Sequence, residues 1–232
     1  MEATKPLNLA EKIELFSESF GFKNLPAEVR SEIAATAESK HYPKNVLIFG
    51  PDDPCRYFYL VADGLVRVSI SSPEGNRLTY LLAVRGEPLN LVGPFTGRPR
   101  LMAAETSADT TVVLLEREVF TRFAFQHPQL ITDIIAKLGE SLDSANSRIL
   151  DMQEKKVDQR LNRILYTLYK KFGPTLKFTS AELAELAGTT TESSIRALSH
   201  LRQQGIIETG RRKISIIKPD AIDQSDTGPI WI

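Results

Sequence analysis

The alternation of apolar and polar residues changes character several times along these 232 residues. From Asn8 to Ala37 the spacing is helical, and Leu25-Pro26-Ala27-Glu28 reads as a helix start. From His41 to about Phe120 short apolar runs are cut by glycine and proline. Val46-Leu47-Ile48-Phe49 stops at Gly50-Pro51, and Tyr57-Phe58-Tyr59-Leu60-Val61 stops at Asp63-Gly64. Leu65 to Ile70 alternates up to Ser72-Pro73-Glu74-Gly75, Arg77 to Val84 precedes Gly86-Glu87-Pro88, and Thr110 to Leu115 is rich in β-branched residues. Short strands at this spacing predict an all-β roll or barrel.

Past Pro128 the period changes. Ile131, Ile134, Leu138, Leu142, Ala145, Ile149 and Met152 are separated by 3, 4, 4, 3, 4 and 3, a period near 3.5 that describes one seam of a coiled coil. Lys137, Glu140, Asp143 and Arg148 fall outside the stripe, and Ile135 broadens it near its start. A helix packed on its own domain also needs an apolar stripe, but the narrowness of this one points to pairing with a second copy. The helix is expected to end between Gln153 and Lys156. Another then runs from Val157 to Phe172 with Leu161, Ile164, Leu165 and Leu168 inward, which leaves residues 152–157 as a hinge.

The stretch Phe178–Lys218 combines several turn and helix signals. A short helix, Ser180 to Leu186, meets a turn at Gly188, and a second helix opens in the hydroxyl run Thr189-Thr190-Thr191 with Leu198 and Leu201 on one face. Ala184 is small where the second helix must cross the first. Beyond Gly205 a hairpin through Ile206-Ile207 and Ile214-Ser215-Ile216 carries Gly210-Arg211-Arg212-Lys213 at its tip. This is the order of a winged helix-turn-helix, whose second helix enters a DNA major groove. An αα-hairpin beside a β-ribbon would not require the turn glycine, polar helix start and basic tip to coincide.

Composition narrows the picture further. The formal net charge is zero. Even so, residues 154–218 hold 13 Lys and Arg against 6 Asp and Glu, a balance of +7 set against −7 elsewhere. A basic C-terminal third on an acidic body suits duplex DNA as a partner. The single cysteine, Cys55, excludes a disulfide within the chain and a cluster held by several of its thiolates. No apolar run approaches the ~20 residues of a membrane span, and the start lacks a basic-then-apolar signal, so the expected location is cytoplasmic, with no membrane contact. The three histidines, at 41, 127 and 200, are too scattered for the clustered ligands of a cupin-type metalloenzyme, and the chain is read as a non-enzyme.

Taken in order, a β-roll, a long dimer helix and a winged helix-turn-helix resemble the family of the cyclic-AMP receptor protein and the fumarate-nitrate reduction regulator. The resemblance spans roughly Asn24 to Ile222. It rests on Tyr57-Phe58-Tyr59-Leu60-Val61-x-x-Gly64-x-Val66-Arg67-Val68, on Arg117 to Phe120, and on Gly188 to Arg196. It implies an α+β architecture: an N-terminal cyclic-nucleotide-binding-like jelly roll with its preceding helices (1–127), a dimerisation helix (128–153) and a DNA-binding domain with a C-terminal tail (154–232). It further implies a homodimeric transcription regulator that binds double-stranded DNA and works with RNA polymerase.

In such relatives a glutamate and, four residues on, an arginine read base edges; Glu192 and Arg196 match those positions. A carboxylate accepts from cytosine N4 and a guanidinium donates to guanine O6 and N7, so the residue types suit the task. At i and i+4 the two can also orient each other. Thr189, Thr190, Thr191 and Ser193 at the helix start, Ser199 further along it, and Arg211, Arg212 and Lys213 on the wing complete the expected DNA-binding set with Ile195. Two positions depart from the family: Ser194 stands where an apolar anchor is usual, and Ile195 where a small or polar residue faces DNA. Ile195 either meets a thymine methyl or replaces the missing anchor after a small helix rotation.

The roll positions that hold ribose and cyclic phosphate in nucleotide-binding relatives correspond to Asn90-Leu91-Val92 and Arg100-Leu101. Leucine at 91 and 101 can supply neither the carboxylate nor the hydroxyl. The expected pocket of Leu89, Asn90, Leu91, Val92, Arg100, Leu101 and Met102, with Phe95 nearby, therefore suits an apolar or flat effector of unknown identity rather than cyclic AMP. The alternatives are a cyclic-nucleotide-responsive regulator of the same family, and a gas- or redox-sensing one with haem on His41 or His127, His41 being placed before the first strand. Cys55 beside Arg56 reads first as an ordinary cysteine, with a thiol of lowered pKa for redox chemistry as the alternative.

Overall fold

The computed structural model describes residues 6–154 and 156–222. The chain divides into two compact units. The first takes in residues up to Ile70 together with Leu81–Gly139, and the second Ser71–Tyr80 together with the chain from Glu140 onward.

In the first unit, α1 (Leu9–Glu18) starts at a capping box in which Asn8 and Glu11 satisfy each other's backbone N–H groups. A 3-10 turn, Phe22–Asn24, leads into α2 (Ala27–Thr36). Among the described residues ten strands follow along the chain, seven of them in the roll. β1 (Glu38–Tyr42), β7 (Thr110–Glu116) and β3 (Tyr57–Asp63) form one antiparallel sheet in that order. β2 (Leu47–Phe49), β6 (Ala103–Thr106), β4 (Val66–Ser71) and β5 (Arg77–Ala83) form the other. Two of these strands, β1 and β6, escape the sequence reading, and His41 lies within β1, paired with Thr111, rather than ahead of the sheet. The β1 residues Glu-Ser-Lys-His-Tyr are too polar to register as a strand, and they are tolerated because β1 is a sheet edge.

Strand β3 is buried on both faces, which explains its unbroken apolar run. Phe58, Leu60 and Ala62 point to one side, where they join Val113 and Leu115 of β7, Leu15 and Phe16 of α1, Ile33 of α2, and Phe120 and Phe123 of α4 (Arg117–Gln126). Phe58 and Phe120 stack at 4.1 Å, and Phe22 meets Phe16 edge-on at 4.8 Å. Tyr59 and Val61, also buried, point to the opposite face, as a period of two demands. The turn from β3 to β4 needs Gly64: its φ is +95°, and a Cβ there would sit 2.5 Å from the Asp109 carbonyl oxygen.

A single turn, α3 (Gly93–Thr96), precedes β6. The 27-residue helix α5 (Pro128–Glu154) begins at Pro128 itself, where a missing N–H costs nothing. Its first turns belong to the first unit, where Leu130 and Ile134 are buried in the aromatic core.

The second unit holds the rest of α5, then α6 (Val157–Phe172), β8 (Thr175–Leu176), α7 (Ser180–Ala187), α8 (Thr191–Gln203), β9 (Ile207–Gly210) and β10 (Lys213–Ile216). The α5–α6 junction falls where the apolar stripe runs out, although Lys155 of the expected hinge lies outside the described residues. Helices α6, α7 and α8 pack around Leu161, Leu165, Leu168, Leu183, Leu198 and Leu201, all buried. The wing is a three-stranded sheet in the order β8-β10-β9; its two-residue strand β8 carries no sequence signature. The tail Asp223–Ile232, with its Ile230-Trp231-Ile232 end, also lies outside the described residues.

Candidate nucleic-acid interface

The turn between α7 and α8 follows from local chemistry. Thr179 and Glu182 form a capping box at the start of α7, and Gly188 ends that helix in the left-handed conformation at φ +60°. Two residues later Thr190 becomes the N-cap of α8, its hydroxyl accepting from Ser193 N–H at 3.3 Å. The hydroxyl run thus divides its roles: Thr190 caps, Thr191 opens the helix, and half-buried Thr189 bridges the turn.

Helix α8 has two opposed stripes at helical spacing. Ser194, Ala197, Leu198 and Leu201 are 0, 2, 5 and 4% exposed and form the buried face. Glu192, Ile195, Arg196 and Ser199 repeat the same i, i+3, i+4, i+7 pattern on the opposite side, with the first three exposed and Ser199 half-buried. All but one member of the outer stripe is polar. The choice left open by the sequence is settled: Ser194 lies underneath with its hydroxyl unpartnered, and Ile195 is 50% exposed.

Glu192 and Arg196 share this face but do not hold each other. Arg196 instead donates to the Ser193 hydroxyl at 3.2 Å. Its own backbone N–H and the Thr190 hydroxyl hold the Glu192 carboxyl below the usual carboxylate range, with a smaller contribution from Arg196. The carboxylate is therefore an acceptor aimed at solvent, and the guanidinium keeps free donors. On the wing, Arg211, Arg212 and Lys213 are all exposed. Arg212 takes a positive φ of 53°, so the tight hairpin tip is bought with local strain at a non-glycine residue.

Several buried or half-buried charged groups of the second unit have no sequence signal. Arg148, on the polar side of the predicted seam, is 7% exposed and donates to the carbonyls of Thr79, at 2.9 Å, and Leu186. Burial pulls its guanidinium down to about 10. Arg160 donates to Ala187 O at 3.1 Å and Gly188 O at 3.2 Å, satisfying carbonyls at the end of α7. Asp151 and Arg163 form an ion pair joining α5 to α6, with side chains 5 and 6% exposed. Periodicity identifies faces; it does not show which charged residue will be enclosed.

Burial along α5 does not follow the expected stripe in phase. Ile134 is 4% exposed within its own unit's core, and Ile131 and Leu138 pack against that core. The exposed large apolar positions are Ile135, Leu142 and Ile149, at intervals of seven, together with Leu150 at 42% and Met152 at 43%, while Ala145 is half-buried. Ile135 is 63% exposed where Ile134, one residue earlier, is covered.

The expected effector-pocket residues differ widely in burial. Leu89 and Leu91 are buried, Leu91 in the aromatic core, whereas Leu101 is 74% and Val92 41% exposed and Met102 is half-buried. Asn90 accepts from the N–H of Gly93 at 2.9 Å and shapes the α3 turn. Arg100 is 4% exposed, lies 3.9 Å over the Phe49 ring and donates to Tyr57 O at 2.9 Å; its Nη1 is buried without a partner. Cys55 is 5% exposed, and burial pushes its thiol up despite Arg100 and Arg117 nearby, which favours the ordinary buried cysteine over the redox thiol. Among the described residues no group of three or more His, Cys, Asp or Glu is placed to hold a metal ion.

Two domain families match the chain: the cyclic nucleotide-binding domain over residues 39–127 and the Crp-like helix-turn-helix domain over residues 159–224. The cyclic AMP receptor protein of Thermus thermophilus is 28% identical over 179 residues, 75% of this chain and 82% of that protein. The nitrogen fixation regulation protein FixK of Azorhizobium caulinodans is 26% identical over 191 residues, covering 78 and 75% of the two chains. The solved structure of FixK2 from Bradyrhizobium japonicum superposes with a TM-score of 0.72 at 25% identity, covering 82% of this chain and 98% of that one.

Proposed function

Since the chain belongs to the Crp/Fnr family of DNA-binding transcription regulators, we propose that it acts as a homodimer whose two α8 helices read the half-sites of a two-fold symmetric operator. The observation that carries this reading is the outward stripe of α8, in which Glu192 and Arg196 are both exposed, with the Arg196 guanidinium bonded to Ser193, above a fully buried opposite face. Dimerisation through Ile135, Leu142, Ile149 and Met152 is supported by their spacing and exposure: with Leu150 they make five large apolar side chains in solvent on one helix, an unfavourable arrangement for a lone subunit. Pairing along α5 presents two recognition helices, and half-sites about one helical turn of DNA apart match such a pair. Thr189, Thr191 and Ser193 near the helix start, with Arg211, Arg212 and Lys213 on the wing, contact phosphates. RNA polymerase is the partner through which a bound regulator acts, and the location is the cytoplasm.

The effector is a molecule other than cyclic AMP. Leucine at 91 and 101 offers no hydrogen bond to a ribose or a cyclic phosphate, and Leu91 is committed to the core. The partnerless Nη1 of Arg100 fits an effector with one acceptor on an otherwise apolar body.

Footprinting of the purified chain on the DNA upstream of its own gene tests the assignment, with protection of a two-fold symmetric site as the expected result. Sedimentation at the same concentration is expected to show a dimer that Leu142→Asp and Ile149→Asp convert to monomer. Absence of any symmetric protected site, there or across the genome, would overturn the reading. Calorimetric titration with cyclic AMP is expected to give no saturable heat.

A further inference from the structure

Of the stretch Arg117–Phe120, Phe120 belongs to the aromatic core, whereas Arg117 faces a surface groove that DNA reading leaves unused. The groove has a volume of about 360 Å³ and lies wholly in the first unit, where the segment before β3, the end of α3 and the start of α4 meet. Four charged side chains line it, Arg56, Glu116, Arg117 and Glu118, together with Tyr57 and Gly97. We propose that this groove binds a free α-amino acid with an apolar side chain, its carboxylate on Arg117 and Arg56 and its ammonium on Glu116 and Glu118.

The Arg117 guanidinium is fixed before any ligand arrives. Its Nε donates to Pro94 O at 2.7 Å, and it lies against Gly97, where a Cβ would come within 2.7 Å of Nη2. Both Nη atoms are left without an acceptor among the described residues, and these two donors form a fork suited to a carboxylate. Arg56 is exposed and its side chain makes no bond among the described residues. Glu116, the N-cap of α4, makes no bond to the first turn of its helix, and Glu118 is exposed as well. Charges of both signs thus border one groove, and among the described residues none of the four is in an ion pair. A ligand carrying both charges matches this arrangement, whereas a plain anion meets the carboxylates and a plain cation the guanidiniums. Pro54 and Tyr57 supply the apolar wall, and the volume falls within the range of small-molecule pockets, about 300–1,000 Å³. The groove shares no residue with the effector positions Leu89–Val92 and Arg100–Met102, so this is a second ligand site.

The test is calorimetric titration of the full chain with L-phenylalanine and L-leucine, and with the analogues of each that lack the α-amino or the α-carboxyl group. At least one amino acid is expected to bind saturably, and both of its analogues about tenfold more weakly, the effect of one lost hydrogen bond to a charged group. Arg117→Lys keeps the charge but not the fork and is expected to weaken the amino acid about tenfold. The double variant Glu116→Gln/Glu118→Gln is expected to weaken the amino acid while leaving the deaminated analogue no weaker than in the parent. Arg56→Gln, at an exposed position with no bond to lose, is expected to weaken binding with an unchanged thermal midpoint, which separates loss of the site from loss of the fold. Absence of saturable heat with both amino acids, an analogue that binds as tightly as its amino acid, or affinities unchanged in Arg56→Gln and Arg117→Lys overturns the proposal. Each of these results leaves the reading of α8 intact.

Discussion

The ion pair between Asp151 and Arg163 gives the sharpest energetic prediction. It joins the end of α5 to α6, and its side chains are only 5 and 6% exposed. Replacing Asp151 by Ala leaves a guanidinium enclosed without its carboxylate, and loss of one partner of such a pair costs roughly 3–5 kcal/mol. Both residues have further polar contacts, which places the loss near the lower bound, about 3 kcal/mol. With a urea slope of about 1–3 kcal/mol per molar, the unfolding midpoint should fall by about 1–3 M. The double variant Asp151→Leu/Arg163→Met removes both charges and keeps volume; it should recover at least half the loss, because neither desolvation cost remains. The Arg85–Glu18 pair, 3.1 Å apart with side chains 45 and 54% exposed, is an internal control: Glu18→Ala should cost under about 1 kcal/mol. Urea denaturation followed by far-ultraviolet circular dichroism measures all four proteins. Equal midpoints for Asp151→Ala and Glu18→Ala, or a double variant no more stable than Asp151→Ala, would refute the reasoning.

On the wing, Arg211→Ala and Lys213→Ala should each weaken binding to every DNA sequence alike and lower the salt slope by about one for each phosphate left without its cation; a change confined to one sequence would contradict a phosphate role. Ser194→Ala removes a buried hydroxyl with no partner, so its thermal midpoint should hold or rise by a few degrees, and a clear drop would show that the hydroxyl is satisfied in solution. Phe58→Ala empties a site stacked on Phe120 and should cost about 3–5 kcal/mol in the first unit; a loss under about 1 kcal/mol would contradict the packing. For Cys55 the pKa lies above its ordinary value because burial disfavours the thiolate. A raised folded pKa means that the native state holds this proton more tightly than the unfolded chain. That contribution is complete below the unfolded pKa and is lost as pH rises through the folded value. Iodoacetamide should therefore label Cys55 slowly near neutral pH and rapidly in urea, and equal rates in both would refute the burial argument.

Wherever local periodicity and end signals agree, residue order alone suffices. The length of α5, the Gly188 turn, the hydroxyl start of α8 and the basic hairpin tip are all readable, because each depends on residues within a turn or two of one another. Strands β3, β4, β5 and β7 are readable for the same reason, as apolar runs bounded by turn residues. What escapes depends on partners distant along the chain. Strand β6, Ala-Ala-Glu-Thr, exists because β2 and β4 flank it, and β1 exists because β7 offers it an open edge. A one-residue difference of phase decides whether Ile134 or Ile135 faces the outside of α5, and packing on the aromatic core makes that choice. In the same way neighbours settle Ser194 beneath α8 and Ile195 upon it, enclose Arg148 and Arg163, and turn Arg100 onto Phe49. A chain's period defines which residues share a face; which face is covered is a property of everything that packs against it.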